Sequence, residues 1–154
     1  MDTNADSGGY ASRAVHDEFA IRNLVATYAD AVNRRDGDAW RDTWAEDSEW
    51  RIRDTTVVGR QAIVEFWLAA MASFEGVIQM AAQGTVNVGG DEASGSWTIW
   101  EIGRRAGEGS LVVGFYSDRY VRQSSGWRFA ARHFTVCYRG DLPPGKFDPF
   151  PPKL

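Results

Sequence analysis

One cysteine, Cys137, and two histidines are all that this 154-residue chain offers toward disulfides and zinc centres. A disulfide framework and a cysteine-built zinc site are excluded, and the low cysteine use leans toward a reducing, cytoplasmic setting. The histidines, His16 and His133, form no HxH or HxxxH pair, which argues against a dedicated metal centre. No run approaches the ~18 apolar residues of a membrane span, and the opening "MDTNADSGGYASRA" has no apolar h-region, so no membrane association is expected. A basic stripe is missing as well. The net charge is −4 with both signs interspersed, so nucleic acid is not an expected partner.

Aromatic residues are abundant instead: 13% of the chain, including seven tryptophans. In a chain of single-domain length this implies a large apolar interior, an aromatic-lined cavity or a buried interface. Residues 1–15 are polar and Gly/Ser-rich and read as a mobile N-terminal arm. From His16 to Arg34 the apolar positions Ile21, Leu24, Val25, Tyr28 and Val32 recur at helical spacing. "RRDGDAW" offers a Gly stop and an Asp cap, and a second helix is expected through Trp40 and Trp44 to about Glu46. "SEWRIR" reads as a short strand, and a third helix is expected from Arg60 to Phe74.

Four strand-like segments follow, beginning "VIQMAAQGTVNV", "EASGSWTIWEIGRR", "SLVVGFYSDRYVRQ" and "GWRFAARHFTVCYR", separated by hairpin signals. Residues 141–154 hold five prolines and form a Pro-rich tail, either an ordered strap or a loose end. Helices first and an antiparallel meander after is an α+β layout. About three N-terminal helices packed on the concave face of a curved, mostly antiparallel sheet would enclose a cone with an apolar cavity.

Within "SGSWTIWEIGRR" strand alternation puts Trp97, Ile99 and Glu101 on one face. Two readings of that carboxylate stand. It either reaches water at a strand edge beside Arg104 or Arg105, or it points into the cone, where burial would raise its pKa toward general acid–base use.

The segments "IRNLVATYADAVNRRDGDAWRDTWAEDSEWRI" and "VVGRQAIVEFW", with a meander ending "SGWRFAARHFTV", resemble the SnoaL-like branch of the nuclear-transport-factor-2-like superfamily over residues 16–140. Within it they are most similar to the scytalone dehydratase and hexachlorocyclohexane dehydrochlorinase group. The resemblance implies an α+β cone and cofactor-free lyase chemistry on small, rather apolar substrates. The Asp–His dyad of the family lyases falls on Asn33 and Gln79, amides that do not titrate. A family lysine falls on Tyr28, and a pocket arginine falls on Arg132. Glu101 and Tyr116 fall on pocket-lining positions.

Asp30 lies opposite the apolar stripe of its helix and reads as solvated, whereas Asn33 sits on the stripe's margin. The match favours Arg132 inside together with Phe134, Val136 and Tyr138. His133 would then face outward unless a bulge turns it in. Cys137 falls in an apolar strand and reads as an inert core thiol.

The resulting expectation is a lyase expelling water, halide or formaldehyde from a small aromatic or polycyclic substrate. Tyr28, Glu101, Arg132 and His133 are the catalytic candidates. Asn33, Gln79, Trp97, Tyr116, Phe134 and Tyr138 are the substrate-binding candidates. A phenol held by Arg132 or Tyr116 could push toward a quinone-methide-like intermediate, as the loss of formaldehyde from lignin-derived diaryl compounds in some family members suggests. An isomerase or cyclase, a binding protein without turnover, and an accessory subunit are the alternatives. Exposed strand faces and many aromatics point to a homo-oligomer, a dimer or trimer.

Overall fold

The computed structural model describes residues 6–143 apart from residue 83, and residue 145, with side chains described from residue 12 onward. The chain runs α1 (Asp6–Arg34), α2 (Gly37–Arg41), β1 (Trp44–Ile52), β2 (Thr55–Val58), α3 (Arg60–Ala72), β3 (Gly76–Ala81), β4 (Thr85–Gly89), β5 (Glu92–Arg105), β6 (Glu108–Gln123) and β7 (Gly126–Asp141). Three helices pack against a seven-stranded, curved, open sheet of order β2-β1-β7-β6-β5-β3, with β4 also paired to β5. Every pairing is antiparallel except β1 with β7. This is the expected α+β architecture.

Helix α1 buries Ile21, Leu24, Val25, Tyr28 and Val32 against the sheet, while Asp30 stays exposed and pairs with Arg34 at 2.8 Å. The helix begins at Asp6, ten residues before the expected start, so residues 6–15 continue it instead of forming a separate arm. The left-handed residue that ends it is Arg35, at φ 55°, and not the glycine. Gly37 opens α2, which Asp36 caps by accepting from the Ala39 amide at 2.9 Å.

Helix α2 is shorter than expected. It stops at Arg41, and Trp44 begins a strand. The Phe129 amide donates to the Thr43 carbonyl at 2.9 Å, and Trp44 sits opposite Phe129 in the parallel ladder. Pairing with a strand more than eighty residues away overrides the local helical spacing. Likewise "VIQMAAQGTVNV" forms two strands, not one. At Gly84, between them, an added Cβ would lie 2.0 Å from the Ser96 carbonyl oxygen, so only glycine allows that approach to β5. Strand β2 was not anticipated, and α3 ends at Ala72, two residues short of Phe74. Expectations for residues 1–5 and for the tail at residues 144 and 146–154 lie outside the described residues.

Two irregularities in β7 decide which side chains face the helices. Arg119 pairs with Ala131 but Tyr120 with Phe129, leaving Ala130 as an extra residue; Val113 pairs with Tyr138 but Gly114 with Val136, leaving Cys137 extra. Each extra residue reverses the inward–outward parity beyond it. The inner face therefore carries Trp127 and Phe129, then Arg132, Phe134 and Val136, then Arg139.

The core is aromatic-rich. Trp40 and Trp44 are fully buried, and Trp67 stacks on Trp40 at 4.6 Å with an 11° interplanar angle. No described helix is long and apolar enough to cross a membrane.

Candidate active site

Between the sheet's inner face and helices α1 and α3 lies a cavity of about 450 Å³. Aromatic rings of Tyr28, Trp50, Phe66, Trp67, Phe74, Tyr116 and Phe134 wall it. It belongs to one end of the strands. Toward the other end the inner face is packed solid by Trp97, Tyr120, Trp127 and Phe129, all buried.

The polar wall is one row crossing four strands. Gln79 on β3 pairs with Glu101 on β5, Glu101 with Val112 on β6, and Val112 with Arg139 on β7. All four line the cavity. Glu101 thus points into the cone, the second of the two readings. Gln79 Nε2 donates to Glu101 Oε2 at 3.0 Å. Burial raises the Glu101 pKa; the Gln79 hydrogen bond and the charges of Arg105, Arg139 and Arg53 oppose the rise without cancelling it. Gln79 is 6% exposed, and its Oε1 has no hydrogen-bond partner among the described residues. A buried acceptor of this kind, beside the cavity, suits a donor supplied by a ligand.

Two phenols also line the cavity, Tyr28 from α1 and Tyr116 from β6. Tyr28 and Tyr116 oxygens are 3.4 Å apart, and the rings meet edge to face at 6.2 Å. Burial raises both pKa values, so both hydroxyls keep their protons at neutral pH, while Arg132 opposes the rise in each case.

Arg132 does not line the cavity. It lies beneath these rings, its guanidinium carbon 4.2 Å from the Tyr28 ring centre, 3.8 Å from Tyr116 and 4.1 Å from Phe129. Its partner is Asp118, with contacts of 2.9 and 3.0 Å and no exposure on either side chain. Burial opposes the Arg132 charge, but Asp118 and the surrounding phenols more than offset that, and its pKa lies above the ordinary value. Arg132 is thus separated from the cavity by the phenol rings, which corrects the expectation that it lies in the pocket.

The other expected residues divide. Phe134 lines the cavity. Trp97 is buried on the inner face but outside the cavity, donating from Nε1 to the Tyr120 hydroxyl at 2.7 Å, which in turn donates to Asp118 at 2.8 Å. Asn33 is turned to the Gln79 backbone: its Nδ2 donates to the Gln79 carbonyl at 3.0 Å and its Oδ1 accepts from the Gln79 amide at 2.7 Å. Its amide is spent on anchoring β3 to α1, which corrects the expectation of a substrate contact. His133 is exposed on the outer face, because the extra residue at Ala130 brings Arg132 inward. Tyr138 is 55% exposed, because the extra residue at Cys137 brings Arg139 inward in its place. Cys137 is itself exposed, not a core thiol.

Sequence reasoning missed Asp118 and the arginines at the cavity mouth, Arg53, Arg105 and Arg139. Asp118 was detectable, since alternation places it between Tyr116 and Tyr120 on the inner face. Arg139 was not, because its direction depends on the bulge. Among the described residues no three His, Cys, Asp or Glu side chains converge on a possible metal site.

A Mycobacterium tuberculosis (strain ATCC 25618 / H37Rv) protein, the uncharacterized Rv2910c, is 26% identical over 130 residues, covering 81% of this chain and 88% of its own. Two solved structures share the fold. Hexachlorocyclohexane dehydrochlorinase LinA-type3 from Novosphingobium barchaimii LL02 superposes with a TM-score of 0.78 at 21% identity, over 94% of this chain and 99% of that one. A Novosphingobium aromaticivorans DSM 12444 protein named as a candidate scytalone dehydratase gives 0.79 at 18% identity, over 91% and 97%. The family model of the SnoaL-like domain matches residues 13–133, most of the chain, and the chain belongs to that family.

Proposed function

We propose that the protein is a cofactor-free lyase that eliminates a small group from a compact aromatic or polycyclic substrate. The observation that carries this reading is a half-buried carboxyl, Glu101, sharing an aromatic-walled cavity with two protonated phenols. In its ionised form Glu101 takes a proton from substrate carbon. The C–H electron pair becomes the new π bond, and the leaving hydroxyl departs as water with a proton donated by Tyr28 or Tyr116. The unpaired Gln79 Oε1 would accept a second substrate hydroxyl and fix the ring's orientation. Arg132, under the phenol rings, would ease loss of their protons as charge builds on oxygen. Where the substrate carries its own phenol, the same groups support the quinone-methide route with loss of formaldehyde.

The test is a panel of phenolic and polycyclic alcohols incubated with the pure protein and read by mass. Loss of water or of formaldehyde that disappears in Glu101→Gln supports the reading; products of unchanged mass would make the protein an isomerase or cyclase instead. A binding protein without turnover has one observation in its favour: positions 33 and 79 hold amides that do not titrate, Asn33 bonded to the Gln79 backbone and the Gln79 side chain to Glu101. It predicts ligand affinities that shift in Glu101→Gln while no ligand is converted by the parent.

A further inference from the structure

We infer that the substrate carries an anionic substituent, a carboxylate, which seats among Arg53, Arg105 and Arg139 at the cavity mouth while its ring occupies the aromatic chamber. This rests on the reading of the cavity as a substrate site and adds the chemical class that enters it.

Three elements that are distant in sequence bring these guanidiniums together. Arg53 sits in the tight turn joining β1 to β2, at φ 52°; Arg105 is the last residue of β5; Arg139 follows the bulge in β7. All three line the cavity with Asp54, Thr55 and Ser110, and none of their guanidiniums makes a hydrogen bond or ion pair among the described residues. Arg105 is also positioned, its guanidinium carbon lying 3.6 Å from the centre of the Phe74 ring.

The mouth gathers three positive charges against two carboxylates, Glu101 and Asp54, in a chain whose net charge is −4. One of those carboxylates is desolvated and engaged by Gln79. Arg105 is held below its ordinary pKa by partial burial, aided by Arg53 and Arg139 and opposed by Glu101. Crowding like charges beside an apolar cavity is unfavourable unless an anion relieves it, and guanidinium matches the geometry of a carboxylate. Low-dielectric walls focus such a field and raise the local concentration of an anionic ligand.

Placement of the reacting groups agrees. Glu101 and Arg139 flank Val112 in one cross-strand row, so their backbones stand two strand spacings apart, about 10 Å. That span fits an aromatic ring with its carboxylate at the arginines and its reacting carbon toward Glu101. A neutral ring would leave the excess of positive charge at the mouth without a ligand counter-ion.

The experiment compares two probes of nearly equal shape, 2-naphthoate and the neutral 2-naphthamide, on the full chain at neutral pH. Calorimetry and quenching of Trp50 and Trp67, which line the cavity, give the affinities. Naphthoate should bind about tenfold tighter or better, and its advantage should fall with added salt. Arg105→Gln and Arg139→Gln, each checked for folding by circular dichroism, should each shrink the acid-to-amide ratio several-fold and leave naphthamide nearly unchanged. Equal affinities, a preference for the amide, binding of neither probe, or a ratio untouched in both variants would overturn the inference. The lyase reading fails separately. Absence of any turnover leaves the acid preference intact, whereas conversion of neutral alcohols with no acid preference removes only the anionic substituent.

Discussion

Gln79 and Glu101 face each other across the β3–β5 ladder, and the Gln79 amide nitrogen holds the Glu101 carboxyl at 3.0 Å. Behind them Asn33 grips the Gln79 backbone through both the Nδ2 and the Oδ1 of its side-chain amide. A polar chain thus runs from α1 through β3 to the cavity, and it holds the Glu101 carboxyl in the wall that the phenols share.

Replacing that carboxyl should separate activity from stability. Glu101→Gln should lower turnover roughly 10²–10⁴-fold, the usual share of a general acid–base group. Burial raises the Glu101 pKa, against Gln79, Arg105, Arg139 and Arg53, so the folded chain holds this proton more tightly than the unfolded one. Its contribution to stability is whole below the unfolded value and is lost as pH rises through the folded one. The melting temperature of Glu101→Gln relative to the parent should therefore rise as pH increases from the ordinary glutamate value of 4.5 through the raised one of the folded chain. A flat difference would contradict the buried carboxyl.

The phenol pair predicts an asymmetry between rate and stability. Tyr116→Phe and Tyr28→Phe each delete one hydroxyl of a 3.4 Å contact, a long and weak hydrogen bond. Each should cost no more than about 1 kcal/mol in urea unfolding. Whichever phenol donates to the leaving group should show a loss of tenfold or more in kcat with KM little changed.

Arg132 and Asp118 form a pair with no exposed side-chain surface. Asp118→Asn or Arg132→Met alone should cost about 3–5 kcal/mol, because each strands a buried charge. Combining them should recover a substantial part of that loss, which chemical denaturation of the two singles and the double would reveal.

Trp67 stacks on fully buried Trp40 and forms part of the cavity wall. Trp67→Ala should destabilise the fold by about 3–5 kcal/mol. Urea titration followed by circular dichroism avoids relying on the lost fluorophore.

Exposed Cys137 should react with a thiol reagent such as dithionitrobenzoate to one equivalent in the folded protein. Protection that ends only on unfolding would mean that this outer part of β7 is covered.

Sequence pattern revealed the elements whose order is local. The apolar stripe of α1 is a 3.6-residue repeat, and the long strands β5, β6 and β7 are punctuated by short turns, so both were legible without tertiary information. Glu101 was legible only in part: alternation sets it on the face of Trp97 and Ile99, but does not decide whether that end of the strand meets water or a cavity. Trp44 was not legible. Its spacing from Trp40 is helical, but a ladder to Phe129 claims its backbone. Tyr138 and Arg139 were misplaced or missed for one reason: an extra residue in a strand leaves no hydrophobic signature, yet it reverses every side chain beyond it. His133 faces outward, as alternation with Arg132 inside requires.

The amino-acid order by itself determined the α+β layout and the face that Glu101 shares with Trp97 and Ile99, since each follows from periodicity within segments. Only the tertiary structure decided that Arg132 is buried under two phenols against Asp118, and that Arg53, Arg105 and Arg139 meet at one opening. Those arrangements depend on strand register, bulge position and turn geometry. Backbone pairing between distant segments sets all three, and no single stretch of sequence contains that pairing.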